Sequence, residues 1–340
     1  MAGNFVQLHN HTHYSLLDGA SKVPDLVKRV KELGMPAVGI TDHGNMHGAY
    51  ELWRAAVDSG VKPIIGIEAY VTPETARQDK TRVSWDTNWT PVPGHARNPD
   101  DVSGGGLITH LTMWAENDEG LVNLIKASSV ANLEGRVMRY PRMDKEVLST
   151  YSKGVIASSG CPSGIIQTRL RLGQFDEALR AAGEFQDIFG KDNFYIELMD
   201  HGLSIESKVT GDLLTIAKKL GAPLLATNDS HYVMEADKDA QDAMLCINSG
   251  ATLDDPNRFK FEGSGYYIKS AEEMRELFKD HPDACDNTLE IAERCNVIFD
   301  DHEDGAFMPQ FDCPEGWDET SLFLKLSLIH ISEPTRLRCI

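Results

Sequence analysis

The chain has 340 residues, 41% hydrophobic and 25% charged, with a formal net charge of −19. The length suits one large α/β barrel or two smaller domains, and no apolar stretch approaches the length of a membrane span. The acidic balance argues against a broad nucleic-acid-binding surface, because phosphates are normally held by basic faces. Six cysteines without paired spacing predict free thiols in a reducing, cytoplasmic setting rather than a disulfide framework.

Strand-like and helix-like segments alternate from the start. Residues 5–9 read as a strand and run into His9-Asn10-His11. Side chains two apart on a strand share a face, so His9 and His11 can converge on one metal ion. Asp18 follows, before Gly19, which permits a tight turn back toward them. Residues 23–34 read as an amphipathic helix with Pro24 in its first turn and Gly34 at its end. Strand 37–41 leads to Asp42 and His43, and helix 48–59 closes at Gly60; Asp42 reads as orienting His43 or capping that helix. Strand 63–71 carries Glu68 within an Ile- and Val-rich run. Residues 72–106, rich in Thr, Asp, Asn, Pro and Gly, read as a long mobile insertion on the ligand-bearing face.

The alternation resumes with strand 107–114, which carries His110, and helix 118–131. Strand 154–158 leads to Cys161, and helices follow near 163–171 and 175–189. Strand 193–198, helix 205–220 and strand 223–227 lead to Asp229 and His231, again two residues apart. Repeated βα units predict a parallel sheet with helices outside it. Ligand-type residues at so many strand ends predict closure into a barrel, with the chemistry at one mouth.

Past residue 250 the pattern changes. Phe259-Lys260-Phe261 and Tyr266-Tyr267-Ile268 suggest short strands, and Ser270 with Glu273 makes a capping box for helix 271–279. Helix 283–295 follows. Residues 5–250 are read as the barrel, 251–326 as an appendage or the start of another domain, and 327–340 as a non-native tail. Asp300-Asp301 and Glu303-Asp304 read as a solvated turn.

The residue types suit two or three divalent ions. Imidazoles and a thiolate favour zinc, and the carboxylates also accept manganese or iron. A carboxylate such as Glu68 can bridge two ions through its two oxygens. His13, His47, His95, His201, His281, His302 and His330 lack support from a strand end and read as surface residues or supports of the ligands.

Leu8–Gly19 and Gly39–Met46 resemble the N-terminal polymerase-and-histidinol-phosphatase (PHP) domain of the DNA polymerase III alpha subunit family, which is C-family and replicative. Pro63–Tyr70, Ser159–Gly164 and Ala226–Tyr232 extend the likeness. Leu198–Gly202 and Asp255–Phe261 favour the polymerase branch, of actinobacterial type, over the phosphatases. The resemblance covers roughly residues 5–326 and implies a distorted (β/α)7-type barrel.

It also implies nine metal ligands: His9, His11, Asp18, His43, Glu68, His110, Cys161, Asp229 and His231. One ion would be held by His9, His11, Glu68 and Asp229, a second by Glu68, His110 and Cys161, and a third by Asp18, His43 and His231. The implied activity is 3′–5′ proofreading hydrolysis at a DNA primer 3′ end by a metal-bound hydroxide, with His11, Glu68 and Asp229 central. The implied partners are the polymerase core, the sliding clamp and other replisome subunits. The alternatives are a small-molecule phosphoesterase of histidinol-phosphatase type and a metal-stabilised scaffold without catalysis.

Overall fold

The computed structural model describes residues 4–92, 97–299 and 312–332. Strands β1 (Ala37–Ile40), β2 (Lys62–Val71), β3 (Thr109–Ala115), β4 (Arg142–Met143), β5 (Val155–Ser158), β6 (Phe194–Leu198) and β7 (Leu224–Ala226) form one curled sheet. Its order is β1-β2-β3-β5-β6-β7, with β4 beside β2.

The segment expected as a first strand at 5–9 is not a regular strand. It makes isolated bridges instead, Gln7 to Val38 on one side and Asn10 to Ser230 on the other. Gly39 N–H donates to Gln7 O at 2.8 Å, and His11 N–H to Ser230 O at 2.8 Å. The segment therefore joins the two edges of the sheet, which brings the β1 and β7 ends to the same mouth. Gly39 permits the approach, since a Cβ there would stand 2.4 Å from Leu8 O.

The all-parallel expectation fails at β3, which runs antiparallel to both β2 and β5. A parallel return requires a crossover, usually helical. The connection after β2 has only a four-residue helical turn, Ser103–Gly106, so the chain comes back alongside β2. His110 is accordingly near the start of its strand, and opposite polarity puts that start beside the C-terminal part of β2, with Tyr70 facing His110.

The helices form for ordinary reasons. Val23–Glu32 buries Val23, Leu26, Val27 and Val30, one stripe at helical spacing. Ala49–Ser59 ends at Gly60, which has a left-handed φ of 72°. Phe175–Phe189, Ser204–Leu220 and Lys238–Ser249 follow.

The barrel core takes residues from every main strand: Val6, Leu8, Ala37, Ile64, Trp114, Ile156, Tyr195 and Leu225. Ile291, Ala292 and Cys295 join it from the end of helix Pro282–Arg294 and beyond. Ala37 and Ile64 lie early in β1 and β2, while Trp114 lies late in antiparallel β3. The helix thus closes the barrel end opposite the ligands, and Thr288 Oγ1 accepts from Val6 N at 3.1 Å. Residues up to Ile298 form one compact unit, so much of the expected appendage is built into the barrel.

The expected strands at 259–261 and 266–268 are absent; a single bridge joins Tyr232 to Tyr267. The expected capping box is present at Ser270 and Glu273, on helix Ala271–Leu277. A second unit begins at Phe299 and holds helix Glu319–Ser332, which runs through the boundary expected for the tail. The expected turn at Asp300–Asp304 lies outside the described residues.

The insertion, expected to be mobile, is tied down in its described parts. Asp101 accepts from Trp85 N–H and Val102 N–H, and the Arg169 guanidinium lies 3.7 Å from the Trp85 ring centre. Arg142, fully buried, donates to the carbonyls of Arg77 and Asp79 in the insertion and of Leu107 and Gly135 outside it. No helix of the described residues is long and apolar enough to cross a membrane, and every described cysteine is free.

Candidate metal centre

The end of the barrel opposite helix Pro282–Arg294 gathers the predicted ligands. Glu68 is at the centre. Its Oε2 is 2.5 Å from His43 Nδ1, 3.1 Å from His110 Nδ1 and 3.7 Å from His11 Nε2, while Oε1 is 3.4 Å from His9 Nε2. Asp229 Oδ1 is 3.0 Å from His11 Nε2 and 3.4 Å from His9 Nε2. Asp18 Oδ2 lies 2.8 Å from His43 Nε2 and 3.7 Å from His231 Nε2. Cys161 Sγ lies 3.3 Å from His110 Nδ1.

Three overlapping sets each place ligand atoms within 4.8 Å of one another: His9, His11 and Asp229; His43, Glu68 and His110; and His11, His43 and His231. The first lies within one implied set. The others draw His43 toward Glu68 and His11 toward His231, so the three sets share members.

Hydrogen bonds fix which nitrogens can ligate. His231 Nδ1 donates to Asp229 O at 2.7 Å, because a carbonyl only accepts. Its Nε2 therefore keeps a lone pair. His9 Nδ1 faces Glu197 Oε1 at 2.7 Å, with the same consequence. His11 Nδ1 lies 3.0 Å from Ser15 Oγ, whose own proton goes to Asp42 Oδ1 at 2.7 Å. Ser15 can only accept from the ring, which leaves His11 Nε2 as a lone pair too.

These lone pairs meet no donor. His9 Nε2, His11 Nε2, His231 Nε2, both Glu68 oxygens, Asp18 Oδ1 and Asp229 Oδ1 are buried without a hydrogen-bond partner. Buried acceptors facing one another are costly unless a cation lies between them. The donor set therefore fits divalent metal ions. Asp229 adds strain, with a φ of 44° that non-glycine residues seldom adopt and that clusters at working sites.

Burial pushes the Glu68 and Asp18 carboxyls up, yet both are held well below the usual range, Glu68 by His110 and His43 and Asp18 by His231 and His43. Burial likewise opposes protonation of His9, but Asp229 and Glu197 raise it well above 6.5. His43 is raised by Tyr70, Glu68 and Asp18 against its burial. His11 goes the other way, down to about 3, through burial and the neighbouring His43 and His231. Burial, with Glu68 and Asp229, pushes the Cys161 thiol up.

Asp42 neither caps the second helix nor touches His43 through a hydrogen bond of its side chain. It accepts from Thr12 N–H, Thr12 Oγ1 and Ser15 Oγ, and so shapes the loop that carries Asp18. Gly19 completes that loop, where a Cβ would stand 2.3 Å from Thr12 O. The His201 side chain is buried, bonded to Glu206 Oε1 at 2.6 Å and Asn228 O at 2.9 Å, directly before Asp229. His13 and His47 lie toward the surface; His95 and His302 lie outside the described residues.

Sequence reasoning missed Glu197. It is fully buried and takes hydrogen bonds from Ser158 Oγ and Thr227 Oγ1 while holding His9. The available signal was a carboxylate inside the apolar run Phe194-Tyr195-Ile196-Glu197-Leu198.

The PHP domain family profile matches residues 7–201. The chain is 52% identical over 319 residues to the DNA polymerase III subunit alpha of Mycobacterium leprae, covering 94% of this chain and 26% of that protein. It is 55% identical over 297 residues to the Saccharopolyspora erythraea subunit, covering 87% of this chain and 25% of the other. The Borreliella burgdorferi subunit is 39% identical over 324 residues, with coverages of 94% and 26%. The chain thus spans about a quarter of the length of these relatives. Among solved structures, a Bifidobacterium adolescentis chain named as a metal-dependent phosphoesterase is a remote likeness: 16% identical, TM-score 0.37, covering 68% of this chain and 88% of that one.

Proposed function

Because the chain belongs to the PHP domain family and matches DNA polymerase III alpha subunits over 94% of its length, we propose that it is the metal-dependent phosphodiesterase portion of a replicative polymerase, removing nucleotides from a DNA primer 3′ end. One observation carries this reading: imidazole and carboxylate atoms from segment 5–11 and from the strands converge, buried and without hydrogen-bond partners. His9, His11, Asp18, His43, Glu68, His110, Cys161, Asp229 and His231 would hold two or three ions, with zinc favoured by the thiolate and imidazoles and manganese or iron compatible with the carboxylates.

Bound ions of this kind clamp a phosphate and lower the pKa of water. The chain's own groups do the rest. Glu197, Ser15 and the Asp229 carbonyl fix the tautomers of His9, His11 and His231, so each presents Nε2. Glu68, nearly fully buried, spans the sets and excludes solvent from their centre. Asp229 is the more accessible carboxylate, its side chain 14% exposed, and its Oδ1 is buried facing His9 and His11 Nε2, where it would help hold an ion. In the longer relatives the polymerase core, sliding clamp and other replisome subunits would be the partners, with the cytoplasm as the setting.

The test is hydrolysis of a 3′-mismatched primer and of a phosphate monoester by the purified protein with zinc and with manganese. Shortening of the primer from its 3′ end supports the proposal. Turnover of the monoester alone would replace it with a small-molecule phosphoesterase, and neither activity in metal-loaded protein would leave a scaffold.

A further inference from the structure

The wall of the metal centre beyond His110 leads to Arg139, a cation that meets no carboxylate partner among the described residues. Tyr70 lies beside both His43 and His110, with ring centres 5.9 and 5.4 Å away, and Tyr140 packs edge-on against Tyr70 at 5.1 Å. Tyr140 closes a tight turn with Val137, each donating its N–H to the other's carbonyl at 3.0 Å. Between them stand Met138 and Arg139, both exposed.

Met138 has a φ of 56°, a conformation non-glycine residues seldom adopt, yet its side chain is 72% exposed and gains little from burial. The turn is flanked by anchored backbone: Arg142, two residues after it, bonds four backbone carbonyls, among them that of Gly135, two residues before it. The strain is thus sustained by the fold, and it presents Arg139 outward beside the site.

Arg139 is also held from the other side of the mouth. Its Nη1 donates to Asn248 Oδ1 at 2.5 Å, and Asn248 Nδ2 donates to Leu17 O at 3.3 Å, next to Asp18. Its guanidinium lies 5.3 Å from the Tyr140 ring centre. Arg77, Arg169, Arg180, Arg258, Arg275 and Arg294 each pair with a carboxylate. Arg82, Arg97, Arg136 and Arg139 pair with none among the described residues, and of these Arg139 is tied through Asn248 to the loop that carries Asp18. A guanidinium has five donors in a planar fork suited to phosphate, and here none of them is held by a carboxylate of the described residues.

We propose that Arg139 binds a backbone phosphate of the DNA strand whose 3′ end enters the metal centre, and so positions that strand; the inference rests on the phosphodiesterase reading above. It makes Arg139 a positioning residue at the mouth, a point of positive charge beside the site in a chain of net charge −19. Lysine would keep the charge and lose the two-point contact.

The experiment compares wild type, Arg139→Gln and Arg139→Lys on a single-stranded oligonucleotide, with metal content and melting temperature measured for each. We expect Arg139→Gln to raise KM about 10-fold with kcat little changed, equivalent to one lost charged hydrogen bond. Arg139→Lys should fall between. Binding of a 5′-fluorescein oligonucleotide by Asp229→Asn protein, followed by anisotropy across a salt series, should lose about 0.7 from its log–log salt slope when Arg139→Gln is added. An unchanged KM and slope, with metal content intact, would overturn the inference. Wild-type protein that binds the oligonucleotide through Arg139 but never hydrolyses it would keep the contact and sink the phosphodiesterase reading.

Discussion

Two regions of this barrel bury charged side chains, and they do so in opposite ways. Arg142 is fully buried without a carboxylate bonded to it, and its donors reach four backbone carbonyls. At the metal centre, Glu68, Asp18, Asp229 and the histidines also lie in the interior, yet both Glu68 oxygens, Asp18 Oδ1, Asp229 Oδ1 and Nε2 of His9, His11 and His231 have no hydrogen-bond partner. The first region is complete as protein. The second is complete only with cations, because facing acceptors repel until a positive charge joins them. Buried charge of itself says nothing of function; the distinction is whether the hydrogen bonds close.

That contrast breaks first under chelation. Metal that binds only the folded state at about a thousand times its dissociation constant adds about 4 kcal/mol. Removing it should lower the melting temperature by about 10 °C, read by calorimetry or circular dichroism. An unchanged melting curve after verified metal removal would count against the cluster. At the other region, Arg142→Ala should destabilise the chain by about 3 kcal/mol, since it strands buried carbonyls, while metal content after refolding stays at the wild-type level. Loss of metal without loss of stability would reverse the contrast.

Within the centre, Asp229→Asn should abolish primer hydrolysis, with a rate loss above about 100-fold, while the far-ultraviolet spectrum is retained. Glu197→Gln is a gentler probe. It keeps the shape but weakens the hold on His9 Nδ1, and should cost about 10-fold in metal affinity by competition with a chromogenic chelator. Wild-type affinity in that variant would remove Glu197 from the site.

The smallest expected effect is in pH. In metal-free protein, His9 and His43 are raised above 6.5, so their stabilisation is present below 6.5 and is lost as pH rises through the folded values. Glu68 and Asp18 are lowered, so theirs is present above the ordinary carboxylate range and is lost as pH falls through the folded values. Metal-free protein should melt highest between those limits, in mildly acid solution. Metal must displace the imidazolium protons, so the increase in melting temperature that metal gives should grow from pH 6 to 8. A metal effect independent of pH would argue that the imidazoles are not ligands.

The site was more legible than the frame around it. Paired spacing at His9 and His11 and at Asp229 and His231 is a local property, since strand geometry carries alternate side chains to one face. The nine candidate ligands do gather at one mouth. Glu197 and Arg142 were not legible, because each acts through partners far away in the chain: His9 lies 188 residues from Glu197, and Asp79 lies 63 from Arg142. A single sequence carries no sign of such pairings beyond one charged residue inside an apolar run.

The sequence by itself determined the alternating elements, the helix stripes and caps, and which side chains could serve as ligands, because these follow from spacing along a few residues. Only the tertiary structure decided the direction of β3, the use of segment 5–11 as the link between β1 and β7, and the role of helix Pro282–Arg294 as the floor of the barrel. Each of those depends on which surfaces meet after long stretches of chain have folded back. The direction of β3 matters most for chemistry, since antiparallel entry is what delivers His110, near the start of its strand, to Glu68 late in β2 and to ligands beyond the ends of β1 and β7.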